Sequence, residues 1–509
     1  MSADSKDDLD DKGASILRMI YTVMNETTFF RGVSQYLDHF KYSNAVQDEL
    51  WAFLTNVTSP AKLGGYSIKQ IMDTWTLQEG YPLLMVTRDY SRNTVTLKQK
   101  RFLLDPHAPN HTSIYVNPFK PLEFQWYIPY DYLIDSNLSP FGWLPPNTTQ
   151  EIATGQSPND WILFNINEFG FYRVNYDLRN WNLLIRVLKT DRTQIPEVSR
   201  AQLIDDAFNL ARSGELSVQT TLELCTFLCS ELSYIPFISF STNMHYPLIM
   251  FGQDENSINY KQLQAYIRTI EEPAYQFLGW SISPGSSDYL PRQLRSLIIG
   301  DLCSNGHDAC IQEAILQYRQ WRSAPLVFPI NPDLRTTVYC QGMKSGTDED
   351  YHFIQTLYQQ TNDQVEKNRF GFALTCTKNV TRLEQLLNET LKNEFIRLQD
   401  SSAFISRISV QPGGQKLTWK FVSQRWPELV SRLGGLSFIL SNIVESVLTY
   451  VNTPNDLELI EQFTRETKDL SVAERSFHSS IEKIKANIRW MDTTGQDIRL
   501  WLSNHTVTC

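Results

Sequence analysis

The residues of this sequence that could bind a catalytic metal are its eight histidines. A helix-borne zinc site with an adjacent general base takes the pattern His-Glu-x-x-His, and none of the histidines begins that pattern. His107 and His111 share its spacing, but Pro109 lies between them and no glutamate follows His107. Because proline prevents the helix that would place both imidazoles on one face, we expect no metal at this pair.

Other catalytic patterns are absent from the sequence. It contains no Gly-rich phosphate loop and no Gly-x-Ser-x-Gly elbow, and no cysteine has a convincing partner for nucleophilic catalysis. The acidic pairs Asp205-Asp206 and Glu271-Glu272 are interpreted as solvated helix faces or caps rather than as acid/base couples. From the residues alone, the chain has no visible active site.

The composition excludes two classes of protein. With 42% apolar and 20% charged residues, the chain has ample material for packed cores and is not disordered. Its 46 basic and 56 acidic residues give a net charge of −10, which disfavours a nucleic-acid-binding protein because such proteins need a basic face. No apolar run approaches the ~18 residues of a transmembrane helix. The acidic segment 1–12 does not resemble a secretory signal.

Two cysteine pairs could form disulfides. Cys303 and Cys310 enclose a short polar loop between two apolar-periodic segments, where a bridge would join a helix–turn–helix. Loop closure would make that bridge worth on the order of 2.5 kcal/mol, and a Cys340–Cys376 bridge about 4 kcal/mol. The alternative is that these residues are buried free thiols, and spacing alone leaves both possibilities open.

The remaining cysteines carry less information. Cys225 and Cys229 have the i, i+4 spacing of one helix face and are interpreted as two small apolar residues, since no second ligand pair for zinc accompanies them. Cys509 is the last residue, and the sequence does not indicate a role for it. Eight Asn-x-Ser/Thr sequons are candidate glycosylation sites: Asn25, Asn56, Asn110, Asn137, Asn147, Asn379, Asn388 and Asn504.

Three stretches of different periodicity would position these residues. Residues 12–78 show a helical apolar stripe that begins with Ile16, Leu17 and Ile20. The next hundred residues alternate between apolar and polar side chains and are rich in proline and glycine, as is typical of a small β-sandwich. From about residue 180 onward the pattern is helical with short breaks, which indicates an α-solenoid.

We therefore predict an α+β multidomain fold. Its parts are a helical segment at residues 1–78, a small β-sandwich at residues 79–176, and a large α-helical superhelix of the HEAT/ARM type at residues 177–509.

Six segments, in order, resemble motifs of the M1 zinc aminopeptidases of the aminopeptidase N type, and the resemblance covers essentially everything after Asp11. The first is Lys12-Gly-Ala-Ser-Ile-Leu-Arg18-Met, which is similar to a helix that closes the catalytic domain of these enzymes. The others are His39-Phe-Lys-Tyr-Ser-Asn-Ala, Trp75-Thr-Leu-Gln-Glu-Gly-Tyr-Pro, Gly170-Phe-Tyr-Arg-Val-Asn-Tyr-Asp, Arg200-Ala-Gln-Leu-Ile-Asp-Asp-Ala-Phe and Ile484-Lys-Ala-Asn-Ile-Arg-Trp.

The resemblance implies an architecture and a setting. Residues 1–78 would be the C-terminal remnant of a thermolysin-like catalytic domain, followed by the sandwich and by a superhelix of the ERAP1-like C-terminal type. It also implies the pairings Cys303–Cys310 and Cys340–Cys376, and hence an extracellular or plasma-membrane glycoprotein ectodomain. Peptides would be the substrates, in peptide catabolism. A homodimer through residues 177–509, or association with a full-length homologue, is plausible on the same grounds.

The departures from the family decide what these residues can do. In the family, zinc is held by His-Glu-x-x-His and a downstream Glu, and the substrate amine by Gly-x-Met-Glu-Asn; neither motif occurs here. The tyrosine that stabilises the tetrahedral intermediate belongs two residues before Lys12, where this chain has Asp10. A carboxylate cannot donate that hydrogen bond, and its charge opposes a developing oxyanion. We therefore expect no bound zinc, no catalytic residue and no peptide hydrolysis by this chain alone.

Three interpretations of function follow from this comparison. The chain could be an incomplete or alternatively started product of an aminopeptidase gene. It could instead be a non-catalytic module that binds peptides, dimerises or regulates a full-length partner, or a structural ectodomain. Arg397 is a candidate for contacting a bound peptide, although a surface or helix-capping role is commoner for such an arginine.

Overall fold

The computed structural model describes residues 6–107, 124–135, 137–155, 157–254, 256–281, 288–435 and 438–509, with side chains from Lys12 onward. The chain divides into two compact units, Met1–Phe227 (unit 1) and Leu228–Cys509 (unit 2). Helices dominate both, and a few small sheets lie in unit 1. The mostly helical α+β class is confirmed, whereas the division into three domains at residues 78 and 176 stays a prediction.

Unit 1 opens with four helices: α1 (Lys6–Met24), α2 (Glu26–His39), α3 (Gln47–Val57) and α4 (Ile68–Thr76). Most of the apolar stripe of α1 is buried, with Met19 and Ile20 at most 1% exposed, whereas Leu17 is 41% exposed. Helix α2 begins where the Asn25 side chain accepts a hydrogen bond from the backbone N–H of Thr28 at 3.0 Å. Helix α4 begins with a capping box between Ser67 and Gln70.

Among the described residues of unit 1, nine short strands follow: β1 (Pro82–Asp89), β2 (Thr94–Arg101), β3 (Ile128–Tyr130), β4 (Tyr132–Ile134), β5 (Asn137–Leu138), β6 (Gly142–Leu144), β7 (Gln150–Ala153), β8 (Leu163–Phe164) and β9 (Arg173–Tyr176). They form a four-stranded sheet in the order β7-β2-β1-β9, a pair β3-β6 and a triplet β5-β4-β8. Strands β1 and β2 are antiparallel, with Val86 opposite Leu97, whereas β9 runs parallel to β1.

The last helices of unit 1 are α5 (Leu178–Asp191), α6 (Glu197–Arg212) and α7 (Val218–Cys225). Helix α6 is buried on almost every side, because between Ser199 and Ala211 only Asp205 and Asn209 are partly exposed. It packs against β9 and α7. It ends before Gly214, whose φ of +78° is a left-handed conformation that glycine adopts without strain.

Unit 2 is built from helices: α8 (Tyr234–Phe251), α9 (Ile258–Leu278), α10 (Tyr289–Ser304), α11 (Asp308–Ser323), α12 (Arg335–Ser345), α13 (Asp348–Gln360), α14 (Gln364–Thr375), α15 (Val380–Glu389), α16 (Ser401–Ser409), α17 (Gly414–Gln424), α18 (Trp426–Leu433), α19 (Ile439–Leu448), α20 (Pro454–Glu466), α21 (Glu474–Asp492) and α22 (Thr494–Asn504). Most pack against neighbours in sequence, such as α11 on α12 and α13 on α14.

Buried polar side chains tie distant helices of unit 2 together. Asn487 of α21 is 2% exposed. Its amide donates to the carbonyls of Thr449 and Val451, both at 2.8 Å, and accepts from the hydroxyl of Tyr246 at 2.8 Å. Both polar atoms of the Asn487 side chain therefore form hydrogen bonds, which hold α21 to the end of α19 and to α8.

Candidate functional site

The most concentrated group of charges in unit 1 is a buried cluster that joins β9 to α6. One guanidinium nitrogen of Arg173 donates to Asp205 at 2.6 Å and to Asp206 at 3.0 Å. The second oxygen of Asp206 accepts the backbone N–H of Val174 at 3.1 Å. Asp206 is only 5% exposed and Asp205 35%. The interpretation of Asp205-Asp206 as a solvated pair is therefore wrong for Asp206, because α6 is buried on nearly all sides.

The charges of this cluster support one another. Burial opposes the charge on Arg173, but Asp205 and Asp206 hold its pKa well above the usual range. Burial likewise raises the pKa of Asp206, and Arg173 counteracts that rise. The ring of Phe102 lies 5.3 Å from the guanidinium carbon. Such a mutually paired group orders a strand against a helix.

The basic residues of the first motif bind backbone carbonyls instead of a ligand. The ammonium of Lys12 donates to the carbonyls of Gln78 at 3.2 Å and Gly80 at 3.1 Å. Burial lowers the pKa of Lys12. Arg18 donates to the carbonyl of Glu168 at 2.8 Å. Helix α1 is thus fastened to the segment before β1 and to the turn before β9.

A second buried acidic pair lies in unit 2. Glu271 of α9 is 1% exposed and forms a hydrogen bond with Asp301 of α10, to which Ser241 of α8 also hydrogen-bonds. One oxygen of Glu271 has no hydrogen-bond partner. Burial raises the pKa of Glu271 well above its ordinary value, and raises the pKa of Asp301 to about 6. The expectation of a solvated Glu271-Glu272 pair is wrong for Glu271, which faces α10; Glu272 pairs with His307 at 2.7 Å.

The residues considered for ligands and metal are not brought together. Arg397 is exposed and pairs with Asp400 at 2.7 Å. A peptide carboxylate would compete with that ion pair, and peptide contact stays a prediction.

His107 is exposed, whereas His111 and Pro109 lie outside the described residues. Asp10 lies in α1, but its side chain is also outside them. Within the described ranges, no three His, Cys, Asp or Glu side chains group as a metal site.

The structure contains three disulfides, all in unit 2. Both expected pairings are present: Cys303–Cys310 joins α10 to α11, and Cys340–Cys376 joins α12 to the end of α14. The third bond, Cys229–Cys509, corrects the interpretation of Cys229 as a small apolar residue and gives Cys509 a role. The i, i+4 argument fails because α7 ends at Cys225. Cys225 is a buried thiol.

The sequons differ in accessibility. Asn110 lies outside the described residues, and six others are exposed: Asn25, Asn56, Asn137, Asn147, Asn379 and Asn504. Asn388 is half-buried. Its amide nitrogen donates to the carbonyl of Glu384 and its oxygen accepts from Arg425, both at 2.9 Å. Thr390, the hydroxyl residue of that sequon, is 0% exposed.

Asn388 and Arg425 also line an open polar cleft of about 410 Å³ between α15 and α18, together with Glu389, Lys392 and Glu428. Its carboxylates are already paired, Glu389 with Lys392 and Glu428 with Arg425. In the part of the chain that the structure describes, no helix is long and apolar enough to cross a bilayer.

Comparison with known proteins matches these elements to two families. The ERAP1-like C-terminal domain matches residues 161–486, and the peptidase family M1 domain matches residues 9–75. Aminopeptidase N of Rattus norvegicus is 32% identical over 512 residues, covering 97% of this chain and 51% of the relative. Aminopeptidase N of Homo sapiens is 31% identical over 505 residues, with 97% and 50% covered.

The thyrotropin-releasing hormone-degrading ectoenzyme of Rattus norvegicus is 32% identical over 503 residues, covering 96% of this chain and 46% of the relative. The chain spans about half the length of the curated relatives it matches.

The two aspartates of α6 offer a matched pair of substitutions. Asp206→Ala strands the buried guanidinium of Arg173, so we expect it to destabilise unit 1 by about 3–5 kcal/mol. Asp205→Ala removes a partly exposed carboxylate from the same guanidinium and should cost about 1 kcal/mol. Urea denaturation followed by circular dichroism measures both. Equal losses of stability in the two variants would show that the burial of Asp206 does not determine the size of the effect.

The buried carboxyl pair of Glu271 and Asp301 should make the free energy of unfolding depend on pH. Because folding raises the pKa of both Glu271 and Asp301, the folded chain binds more protons than the unfolded chain, and stability is lost as the pH rises through about 6 and beyond. Glu271→Gln keeps a hydrogen-bond donor for Asp301 and should reduce this loss of stability, because it removes one of the two carboxyls whose pKa folding raises. The exposed Glu458→Gln is the control and should leave the wild-type dependence unchanged; an unaltered profile in Glu271→Gln would contradict the assignment.

Sequon accessibility predicts which asparagines carry glycans. Asn379 is exposed, and only its oxygen is used, as the cap of α15, whereas both polar atoms of the Asn388 side chain are used and Thr390 is buried. When the chain is secreted from eukaryotic cells, we expect a glycan at Asn379 and none at Asn388. Glycopeptide mass spectrometry tests this directly. Asn379→Gln should increase gel mobility and Asn388→Gln should not; comparable occupancy at both sites would overturn the prediction.

Proposed function

Because the chain belongs to the M1 aminopeptidase family, whose ERAP1-like C-terminal domain it contains, we propose that these 509 residues supply the C-terminal part of an aminopeptidase N-like peptidase. They would form the support around a peptide-processing site and would not cleave peptides by themselves. The observation that carries the proposal is the match to that domain over residues 161–486 in a sequence without His-Glu-x-x-His or Gly-x-Met-Glu-Asn.

The zinc-binding motif of the family does not occur in this sequence. M1 aminopeptidases are zinc enzymes, in which the metal polarises the scissile carbonyl and activates a water molecule. Here the four-residue histidine spacing occurs at His107 and His111, where Pro109 prevents the required helix. Asp10 occupies the position of the family's tyrosine. What this chain's own residues do is structural: Lys12, Arg18 and Arg173 hold α1, the sheet and α6 in place.

The finer architecture is part of the proposal. Residues 1–78 would be a thermolysin-like remnant, in line with the peptidase family M1 match over residues 9–75. Residues 79–176 would be a β-sandwich, and residues 177–509 a HEAT/ARM-like superhelix. Packing between helices adjacent in sequence supports the superhelix.

Location and partners are proposed on similar grounds. Three disulfides suit an oxidising compartment, which supports an extracellular or membrane-attached glycoprotein. Peptides are the expected ligands of the family. A homodimer through unit 2 is supported by a contiguous apolar segment on its surface, since Leu326 is 98% exposed and Val327 69%.

The proposal is tested on the purified chain. We expect no stoichiometric zinc by elemental analysis and no turnover of alanyl- or leucyl-anilide substrates, because these residues lack both the metal ligands and the amine-binding motif. Rat aminopeptidase N, assayed in parallel, shows that the assay detects activity. One zinc per chain with chelator-sensitive turnover would overturn the proposal, and His107→Ala and His111→Ala variants would then locate the metal.

A further inference from the structure

The imidazole of His307 makes two contacts that place opposite demands on its ring nitrogens. Nδ1 accepts the backbone N–H of Cys310 at 3.1 Å and so caps the start of α11. Nε2 lies 2.7 Å from a carboxylate oxygen of Glu272 on α9. Because a ring nitrogen accepts only when it is bare and donates only when it carries a proton, the two contacts define one tautomer of the neutral ring, with the proton on Nε2.

The surroundings of His307 hold the ring in this orientation. Its side chain is only 16% exposed. The ring of Tyr275 packs against it edge to face, with the two centroids 5.0 Å apart. The turn that carries the histidine is constrained as well, since Gly306 before it has a φ of +80° and the Cys303–Cys310 disulfide joins the two ends of the turn. These contacts keep Nδ1 facing the first turn of α11.

A second proton on the ring affects the two contacts in opposite directions. Once protonated, Nδ1 is a donor that faces the N–H of Cys310, so the capping hydrogen bond is lost and two donors oppose each other. The hydrogen bond to Glu272 becomes an ion pair and is strengthened. Acidification therefore releases the start of α11 while the imidazolium stays bound to α9.

The other charged groups around this turn do not supply a substitute cap. Asp308 is the first residue of α11, where a carboxylate interacts favourably with the helix dipole at any pH at which it is ionised. Arg268 of α9 donates to the carbonyl of Asn305. The nearby pair of Glu271 and Asp301 takes up protons as the pH falls, and this uptake stabilises the fold toward low pH. Its effect is therefore opposite in sign to the loss of the cap.

We propose that His307 is a pH-sensitive cap of α11, which is closed when the imidazole is neutral and opens when the imidazole is protonated. Histidine is the side chain whose charge ordinarily changes between about pH 5 and pH 8, so the cap responds to the difference between a neutral and an acidic compartment. Because the Cys303–Cys310 disulfide keeps the ends of the turn together, the opening is confined to the first turn of α11. The proposal is independent of the proposed peptidase function.

The test observes the capped N–H itself. Cys310 is the one cysteine of the sequence that follows an alanine, so the full chain labelled with carbonyl-¹³C alanine and ¹⁵N-cysteine gives a single HNCO signal in NMR. Its hydrogen exchange is measured between about pH 8 and pH 5 and corrected for the intrinsic effect of pH. We expect protection to fall about fivefold toward the acidic end, the loss of one capping hydrogen bond. Protection that stays constant, or that rises toward low pH, would overturn the proposal.

Variants separate the cap from other effects of acid. His307→Asn keeps a side-chain acceptor for the N–H of Cys310 without a titratable ring, so it should abolish the fall in protection. Glu272→Gln removes the charge that favours the imidazolium, so the fall should move to lower pH. His352→Asn replaces an exposed histidine of unit 2 and should keep the wild-type profile.

The comparison with His307→Asn is decisive. A fall in protection of the same size in His307→Asn and in the wild-type chain would disprove the role of the imidazole. If a variant does not fold, the pH profile of the Cys310 signal in the wild-type chain still decides whether the cap opens.

Discussion

The ion cluster of Arg173, Asp205 and Asp206 is the interaction on which unit 1 depends. It joins β9, an edge strand of the four-stranded sheet, to α6, the most enclosed helix of the unit. The buried guanidinium of Arg173 depends mainly on Asp206, whose second oxygen accepts the backbone N–H of Val174. Helix α1 is then fastened to the same region through backbone carbonyls. The contacts of these charged side chains order the chain in unit 1.

Unit 2 relies on a different set of constraints. Its helices pack on one another, and polar or covalent links add to that packing at several points. Asn487 supplies one of these by joining α21 to α19 and α8. The carboxyl pair of Glu271 and Asp301 joins α9 to α10, and disulfides join α10 to α11 and α12 to the end of α14. Polar and covalent links thus recur along the helices of unit 2.

Much of the fold could be predicted from periodicity, and the reasons for the errors are physical. The apolar stripe of α1 and the strand-rich stretch before β9 were visible because their patterns repeat locally. Asp206 and Glu271 were misjudged because acidic residues are usually solvated, and nothing in a single sequence shows that the opposite helix face is covered. Cys229 and Cys509 could not be paired because 280 positions separate them and spacing rules are local. The motif residues Lys12 and Arg173 stood out by family resemblance, but only the structure shows that they bind backbone and carboxylates.

The bond between Cys229 and Cys509 has a topological consequence. Their Cα atoms are 5.3 Å apart, so unit 2 starts and finishes at one point and its covalent path is a ring. Loop-closure theory assigns a ring of this length about 5–6 kcal/mol of reduced entropy in the unfolded chain. In such a ring, no particular helix has to come first along the chain. A circular permutant that joins the two positions and opens the exposed turn at Leu326 would keep every helix neighbour while changing only the order of synthesis.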